Sequence, residues 1–416
     1  MTASPPSPFA SGDPARVVIL AGVCAALHAS KLPPAIGALQ AGLSISLVQA
    51  GFLLSLVQVA GMTCGIAVGL AADRLGARRS IVCGLLVLAF ASLLGGTARG
   101  VGWLMVLRAA EGFGFLLVVL PAPGLIRRLV VPQRMARSFG WWSAYMPLGA
   151  AAALLLGPWC IDAAGWRGWW WLLGSATLLM ALWFVRAVPV QPAASPDTGA
   201  PVHAWRTRLR QTLSAPGPWL VALTFAAYAS QWLAVIGFLP VVYAQAGLSA
   251  ATAGVLSALA AAVNMLGNVL SGRLLQRGAA PVRLLQAGFV AMALAASMAY
   301  AGAATPPGLR YAAVLVFSML GGLIPGTLFA LVVRVAPSEA TVATTVGWMQ
   351  QWSATGQFFG PPLVAWVASR LGDWQSTWLV TGACSLLGLL LVRAIGRLDA
   401  AAATSPGAPA GPQPRG

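Results

Sequence analysis

Four side chains pose the chemical question. His28 and Lys31 lie one helical turn apart, Arg108 and Glu111 lie three residues apart, and each pair sits inside a long apolar run. Residues three or four apart share a helix face, so each pair presents its groups together. An imidazole, an ammonium, a guanidinium and a carboxylate so placed allow three kinds of chemistry. The bases can hold an anion, with two bases against one acid leaving a positive excess. The carboxylate or the imidazole can carry a proton, because an unperturbed histidine titrates near pH ~6.5. Or the charges can neutralise one another and hold helices together.

Lys31 is the sole lysine of a chain that otherwise uses arginine, and Pro33 and Pro34 follow it. Two prolines remove two backbone donors and predict a break or kink beside the ammonium. An ionisable side chain inside such a run is costly and is expected to face a cavity or a partner. The alternatives are a lysine that snorkels to the outer surface and a neutral His28 bonded to a neighbouring helix.

The apolar runs that carry these groups exclude a soluble enzyme. Of 416 residues, 59% are hydrophobic and 8% charged, against about 25% charged in soluble domains. The net charge of +17 does not indicate nucleic acid, because the arginines stand singly or in small groups between apolar runs rather than on one basic face. Cys24, Cys64, Cys83, Cys160 and Cys384 form no C-x-x-C pair, so no disulfide, metal site or cofactor is expected. No phosphate-binding Gly-x-x-x-x-Gly-Lys-Ser/Thr motif occurs, which argues against direct ATP use. An intramembrane enzyme would need paired acids, a metal cluster or a nucleophile with its base; Glu111 and His28 are the only acid and histidine within the runs. A membrane sensor would need a large output domain, for which the sequence has no room.

A crossing helix needs about 20 mostly apolar residues. Twelve candidate spans begin near Val17, Ser46, Ile81, Trp103, Ser138, Gly168, Trp219, Ala251, Leu284, Tyr311, Val342 and Thr377. The expected fold is an all-α membrane protein of two pseudo-symmetric six-helix bundles. A tail (1–16), a first bundle (17–187), a linker (188–218), a second bundle (219–399) and a disordered tail (400–416) follow from the same reading. With the N-terminus inside, only Arg99, Arg167, Arg310 and Arg370 fall outside, so both termini are expected in the cytoplasm. No short apolar core with a cleavage site precedes Val17, so no removed signal peptide is expected. Rise along the helix puts Lys31 roughly 21 Å above Val17 and Glu111 roughly 13 Å below the outer surface, at similar depth.

The halves repeat at weak internal symmetry. Gly69-x-x-x-Asp73-Arg74-x-Gly76-x-Arg78-Arg79 after the second span is echoed by Gly272-Arg273 and Arg277-Gly278 after the eighth. Gly157-Pro158 in the fifth span is echoed by Gly360-Pro361 in the eleventh. The first of these segments, between a second and a third apolar span, resembles the signature loop of the major facilitator superfamily. Arg108-x-x-Glu111-Gly112-x-Gly114 is similar to that superfamily's fourth-helix motif, and residues 28–35 are similar to the first helix of cyanate and nitroimidazole permeases. The second-half copy has Gly272 in place of the acid, so the acid's role belongs to the first half.

The resemblance implies a monomeric secondary transporter in the inner membrane, working by alternating access, with the first and fourth helices lining a central cavity. It also implies that Asp73 and its neighbours Gly69, Arg74, Gly76, Arg78 and Arg79 help close the cytoplasmic side against the start of the eleventh helix. The expected cargo is a small organic solute, anionic if Lys31, Arg108 and Glu111 surround it, with protons as the coupling ion; multidrug-type efflux through an apolar cavity is the alternative. In the second half the candidates are uncharged: Tyr228, Gln231 and Trp232; Asn264 and Asn268; Gln350, Ser353 and Gln357 with Trp348 and Trp352 nearby. They suit a substrate's polar edges and apolar body, or they serve as hydrogen-bonded glue between helices. Two small-residue stripes, Gly149, Ala153 and Gly157 on the fifth span and Gly356 and Gly360 on the eleventh, predict close helix contacts that rock between states.

Overall fold

The computed structural model describes residues 13–65, 76–131, 144–190, 204–300 and 305–404, with residues 134, 138, 141 and 142 inside the second gap. Among the described residues every regular element is helical. The elements are α1 (Pro14–Leu43), α2 (Leu47–Gly65), α3 (Ala77–Gly95), α4 (Val101–Leu129), α5 (Tyr145–Ala187) and α6 (Ala204–Ser214). They continue with α7 (Pro216–Gln245), α8 (Ala250–Gln276), α9 (Pro281–Tyr300), α10 (Pro307–Val335), α11 (Val342–Leu371) and α12 (Thr377–Thr404).

Local sequence explains the ends and breaks. The Asp13 carboxylate accepts from the Ala15 amide at 3.1 Å and caps α1. Ser46 and Gln49 form a reciprocal capping box at the start of α2. As the double proline predicts, α1 is α-helical to Ser30, passes through a 3-10 turn at Pro33–Ala35 and resumes at Ile36. The 43-residue α5 is folded at Gly165, whose φ of 70° and ψ of 172° belong to a region that glycine alone occupies readily. Its contour length of roughly 65 Å is twice the ~30 Å of a hydrocarbon core.

Among the described residues, ten segments are long and apolar enough to cross a bilayer. The fifth of them is α5, which holds two crossings' worth of helix. The 30-residue α11 is not among the ten, because Gln350, Gln351, Gln357 and its hydroxyl residues dilute its hydropathy. Twelve crossings are reached by dividing α5 at Gly165 and counting α11; length and hydropathy alone give ten.

The halves pack by the same plan. In the first, α1 lies on α5, and α3 lies on α4 and α5; in the second, α7 lies on α11, and α9 lies on α10 and α12. The glycine stripes serve these contacts. A Cβ at Gly149 or Gly157 would overlap Ala26 or Pro34 of α1, and one at Gly356 or Gly360 would overlap the carbonyls of Ala226 or Ser230 of α7. The stripes therefore make the close helix contacts expected of them, and they make them within each half. The halves meet elsewhere. Gly51 of α2 lies against Pro361 and Pro362 of α11, and Gly254 of α8 lies against Leu154 and Pro158 of α5.

One apolar cluster joins the halves at the end of the bundle remote from residue 13. It contains Leu32, Ile36 and Leu39 of α1, Leu53 and Leu54 of α2, Phe238 and Val241 of α7, and Val364 of α11. The bundle is closed at that end, which is the outer one in the expected orientation.

Candidate functional site

His28, Lys31, Arg108 and Glu111 meet in a single cluster, each at most 1% exposed. Glu111 is its hub. One carboxylate oxygen accepts from Lys31 Nζ and the other accepts from Arg108 Nη1 at 2.6 Å. Lys31 Nζ also donates to Ser92 Oγ of α3 at 2.8 Å and stands 4.6 Å from the centroid of the Trp170 ring.

The break in α1 gives the cluster its backbone acceptors. Pro33 lacks the amide that would bond back along the helix, so carbonyls near the break need other donors. Trp169 Nε1 donates to the Lys31 carbonyl at 3.1 Å, and Arg108 Nη1 donates to the His28 carbonyl at 2.8 Å. Arg108 Nε reaches the Leu53 carbonyl at 3.2 Å, just before α2 tightens into a 3-10 turn at Leu56–Gln58. One guanidinium thus pins α4 to both α1 and α2.

His28 Nε2 lies 2.6 Å from Thr177 Oγ1, whose own proton goes to the Leu173 carbonyl at 2.7 Å. The network therefore assigns the imidazole proton to Nε2. It leaves Nδ1 without a hydrogen bond, 3.8 Å from a Glu111 oxygen. Chemically the cluster is largely self-satisfied: one acid pairs with two bases, and backbone carbonyls and the Ser92 and Thr177 hydroxyls take other donors, while His28 Nδ1 stays unbonded.

The cluster does not face the space between the halves. That space holds a cavity of about 20 Å³, walled by Ser30, Pro33, Gln58, Met146, Trp232 and Ile236 among others, with no charged side chain. Pockets that hold organic solutes run to about 300–1,000 Å³, so this cavity is smaller than a solute site. Lys31, Arg108 and Glu111, expected around a substrate or paired with each other, pair with each other here and do not line this cavity. All three turn away from the cavity into the first half, behind α1.

The second-half candidates divide into three groups. Asn264 Nδ2 donates to Tyr228 Oη at 3.0 Å and to the Ser318 carbonyl at 2.8 Å, and Trp232 Nε1 donates to Ser318 Oγ at 3.2 Å. Asn268 joins this network through Asn264 at 3.1 Å. Gln231 turns instead toward α12, where Ser385 Oγ donates to its side-chain oxygen at 3.1 Å. Gln357 accepts from Gln58 Nε2 at 3.0 Å across the two halves and donates to Ser353 at 3.2 Å. Gln350 is exposed and stands apart from the rest.

Of the loop expected to act as a gate, Gly69, Asp73 and Arg74 lie outside the described residues. Gly76 begins α3 at a φ of 82°. Arg78 donates to the carbonyls of Val188 and Val185 at 2.8 and 2.7 Å, at the last turn of α5, where a cation is favoured. Arg79 is exposed.

Sequence reasoning missed Gln58, the one side chain that bonds Gln357 from the other half; a glutamine inside an apolar run was the available signal. It also missed Ser92, Trp169, Trp170 and Thr177, which are ordinary residues of membrane helices and carry no signal in isolation.

Two pseudo-symmetric helical halves beside a small neutral cavity define a multi-pass helical membrane protein. The model of the Major Facilitator Superfamily matches residues 18–354, and the chain belongs to that superfamily. The Multidrug resistance protein B homolog of Mycobacterium tuberculosis is 34% identical over 132 residues, covering 30% of this chain and 24% of that relative. An MFS-type efflux pump of Mycolicibacterium smegmatis is 28% identical over 219 residues, covering 51% of this chain and 50% of that relative. This chain therefore spans between a quarter and a half of these curated relatives. Among solved structures, an inward-facing, occupied bacterial homolog of the human lysosomal transporter Spinster superposes with a TM-score of 0.78. It is 15% identical and covers 92% of this chain and 96% of its own. The nucleoside transporter NupG superposes with a TM-score of 0.73 at 14% identity, covering 92% of this chain and 100% of its own.

Proposed function

We propose that this transporter exports a neutral or amphipathic organic molecule by alternating access, driven by a proton gradient. The observation that carries this reading is the division of labour inside the membrane. The path between the halves is walled by apolar and neutral polar groups, Trp232 and Gln58 among them, while the ionisable side chains satisfy one another behind α1. No cation is among the residues that line the cavity between the halves, which favours an uncharged cargo over an anion. Relatives named for multidrug resistance and efflux support the same cargo class.

Everted vesicles carrying the full chain test it. A lipophilic dye should be accumulated when a proton gradient is imposed, benzoate should not, and Trp232→Ala should slow the dye. Gradient-driven movement of benzoate with none of the dye would overturn the reading. The orientation is tested beside it. A cysteine at position 310 should react with an impermeant thiol reagent in intact cells, and one at position 206 should not.

A further inference from the structure

α6 is too short to cross a membrane: its 11 residues span only about 16 Å. Trp205, Leu209 and Leu213 recur at helical spacing and form one apolar stripe, and Arg206 and Arg210 run along its border. These five residues and Ser214 line an open groove on the surface. Trp205 and Leu213 are exposed, as are both arginines, and the Arg206 guanidinium lies 5.4 Å from the Trp205 ring centroid.

The other side of the helix is fixed to the protein. Thr212 is buried, and α6 packs against the turn at residues 339–341 and against α7 and α11. Trp219 Nε1 of α7 donates to the Leu213 carbonyl at 2.9 Å, and its ring meets Trp348 and Trp352 of α11 at 4.8 and 5.7 Å. Only Ala215 separates α6 from α7. The groove is thus held where a crossing helix begins, at the level of lipid headgroups.

We infer that the α6 groove is a docking site for anionic phospholipid headgroups. Trp205, Leu209 and Leu213 enter the boundary between headgroups and acyl chains, as apolar faces of interfacial helices do. Arg206 and Arg210 hold the phosphate. Charge complementarity selects the lipid: two exposed guanidiniums and no acid line the groove. Occupancy is felt by the transport machinery through Trp219, which ties the last turn of α6 to α11.

The test uses the full chain in detergent micelles with equal amounts of phosphatidylglycerol and phosphatidylcholine, read by native mass spectrometry. The wild-type chain should retain phosphatidylglycerol selectively. R206Q/R210Q should lose that preference by roughly fivefold for each arginine removed. R206K/R210K should keep most of it, because a point charge suffices for a headgroup phosphate. Backbone amides of α6 should exchange more slowly in phosphatidylglycerol nanodiscs than in phosphatidylcholine nanodiscs, and millimolar inorganic phosphate should not displace the lipid. Equal retention of both lipids by the wild type, an unchanged preference in R206Q/R210Q, or displacement by inorganic phosphate would each overturn the inference. The variants lie on an exposed face, so loss of folding does not confound the result.

Discussion

The two halves share a packing plan and differ in what fills it. In each, a glycine stripe brings one long helix against the half's first helix, α5 on α1 and α11 on α7. Behind α1 lies an ionic hub of Lys31, Arg108 and Glu111. Beside α7 lies a neutral network of Tyr228, Trp232, Asn264 and Ser318. The difference teaches that the scaffold tolerates either solution, provided the charged groups are paired. It also locates the chemistry. The half with the broken first helix needs strong donors for its freed carbonyls, and Arg108 and Trp169 supply them. α7 runs as one continuous helix despite Pro240.

The largest test of this contrast is Glu111→Gln. It strands two buried cations, and removing one partner of a buried ion pair costs about 3–5 kcal/mol. The purified chain should melt far lower in detergent and accumulate poorly in the membrane. Lys31→Met should be milder, since Glu111 keeps Arg108. The double change should recover part of the loss. Equal melting of Glu111→Gln and the double variant would show that the charges are not coupled.

Next in size are the glycine stripes. Gly356→Ala forces a methyl against the Ala226 carbonyl, and Gly149→Ala forces one against Ala26. Overpacking of this kind costs about 1–3 kcal/mol, and the two variants should lose thermal stability alike. A silent Gly149→Ala beside a damaging Gly356→Ala would break the symmetry of the halves.

Asn264→Leu should cost less, about 1 kcal/mol, because hydrogen bonds between membrane helices are individually modest. A loss as large as that of Glu111→Gln would erase the distinction between the ionic and neutral interiors. The smallest effect on melting belongs to Gln58→Leu, at about 0.6 kcal/mol. Its bond to Gln357 joins the halves rather than building either one, so the measured change should fall on transport rate. Unaltered transport would make that bond incidental to the motion between them.

Much of this was legible in the chain. The shortage of charge, the apolar runs and the double proline specify a helical membrane protein with a broken first helix, because hydrocarbon leaves the backbone no other partner than itself. Pseudo-symmetry showed in the paired Gly-Pro segments, and membership of the superfamily showed in the loop and fourth-helix motifs. The crossing count was less legible. A polar face made α11 weaker in hydropathy than its neighbours, and Gly165 divides what the chain otherwise runs as one helix.

The site was legible in membership but not in direction. Spacing put Lys31 and Glu111 at one depth, and they do pair. Whether the pair looked into the path or away from it depended on how α1 is rotated about its axis. That rotation is set by the close approach of Ala26 and Pro34 to the glycines of α5, by the Ser92 acceptor on α3 and by Trp169 and Trp170. These contacts join residues roughly sixty to one hundred and forty positions apart, and no local pattern encodes them. Sequence alone therefore determined which groups had to be neutralised inside the membrane. Only tertiary packing decided that they neutralise one another and stay out of the small cavity between the halves, because the facing of a helix is fixed by its neighbours.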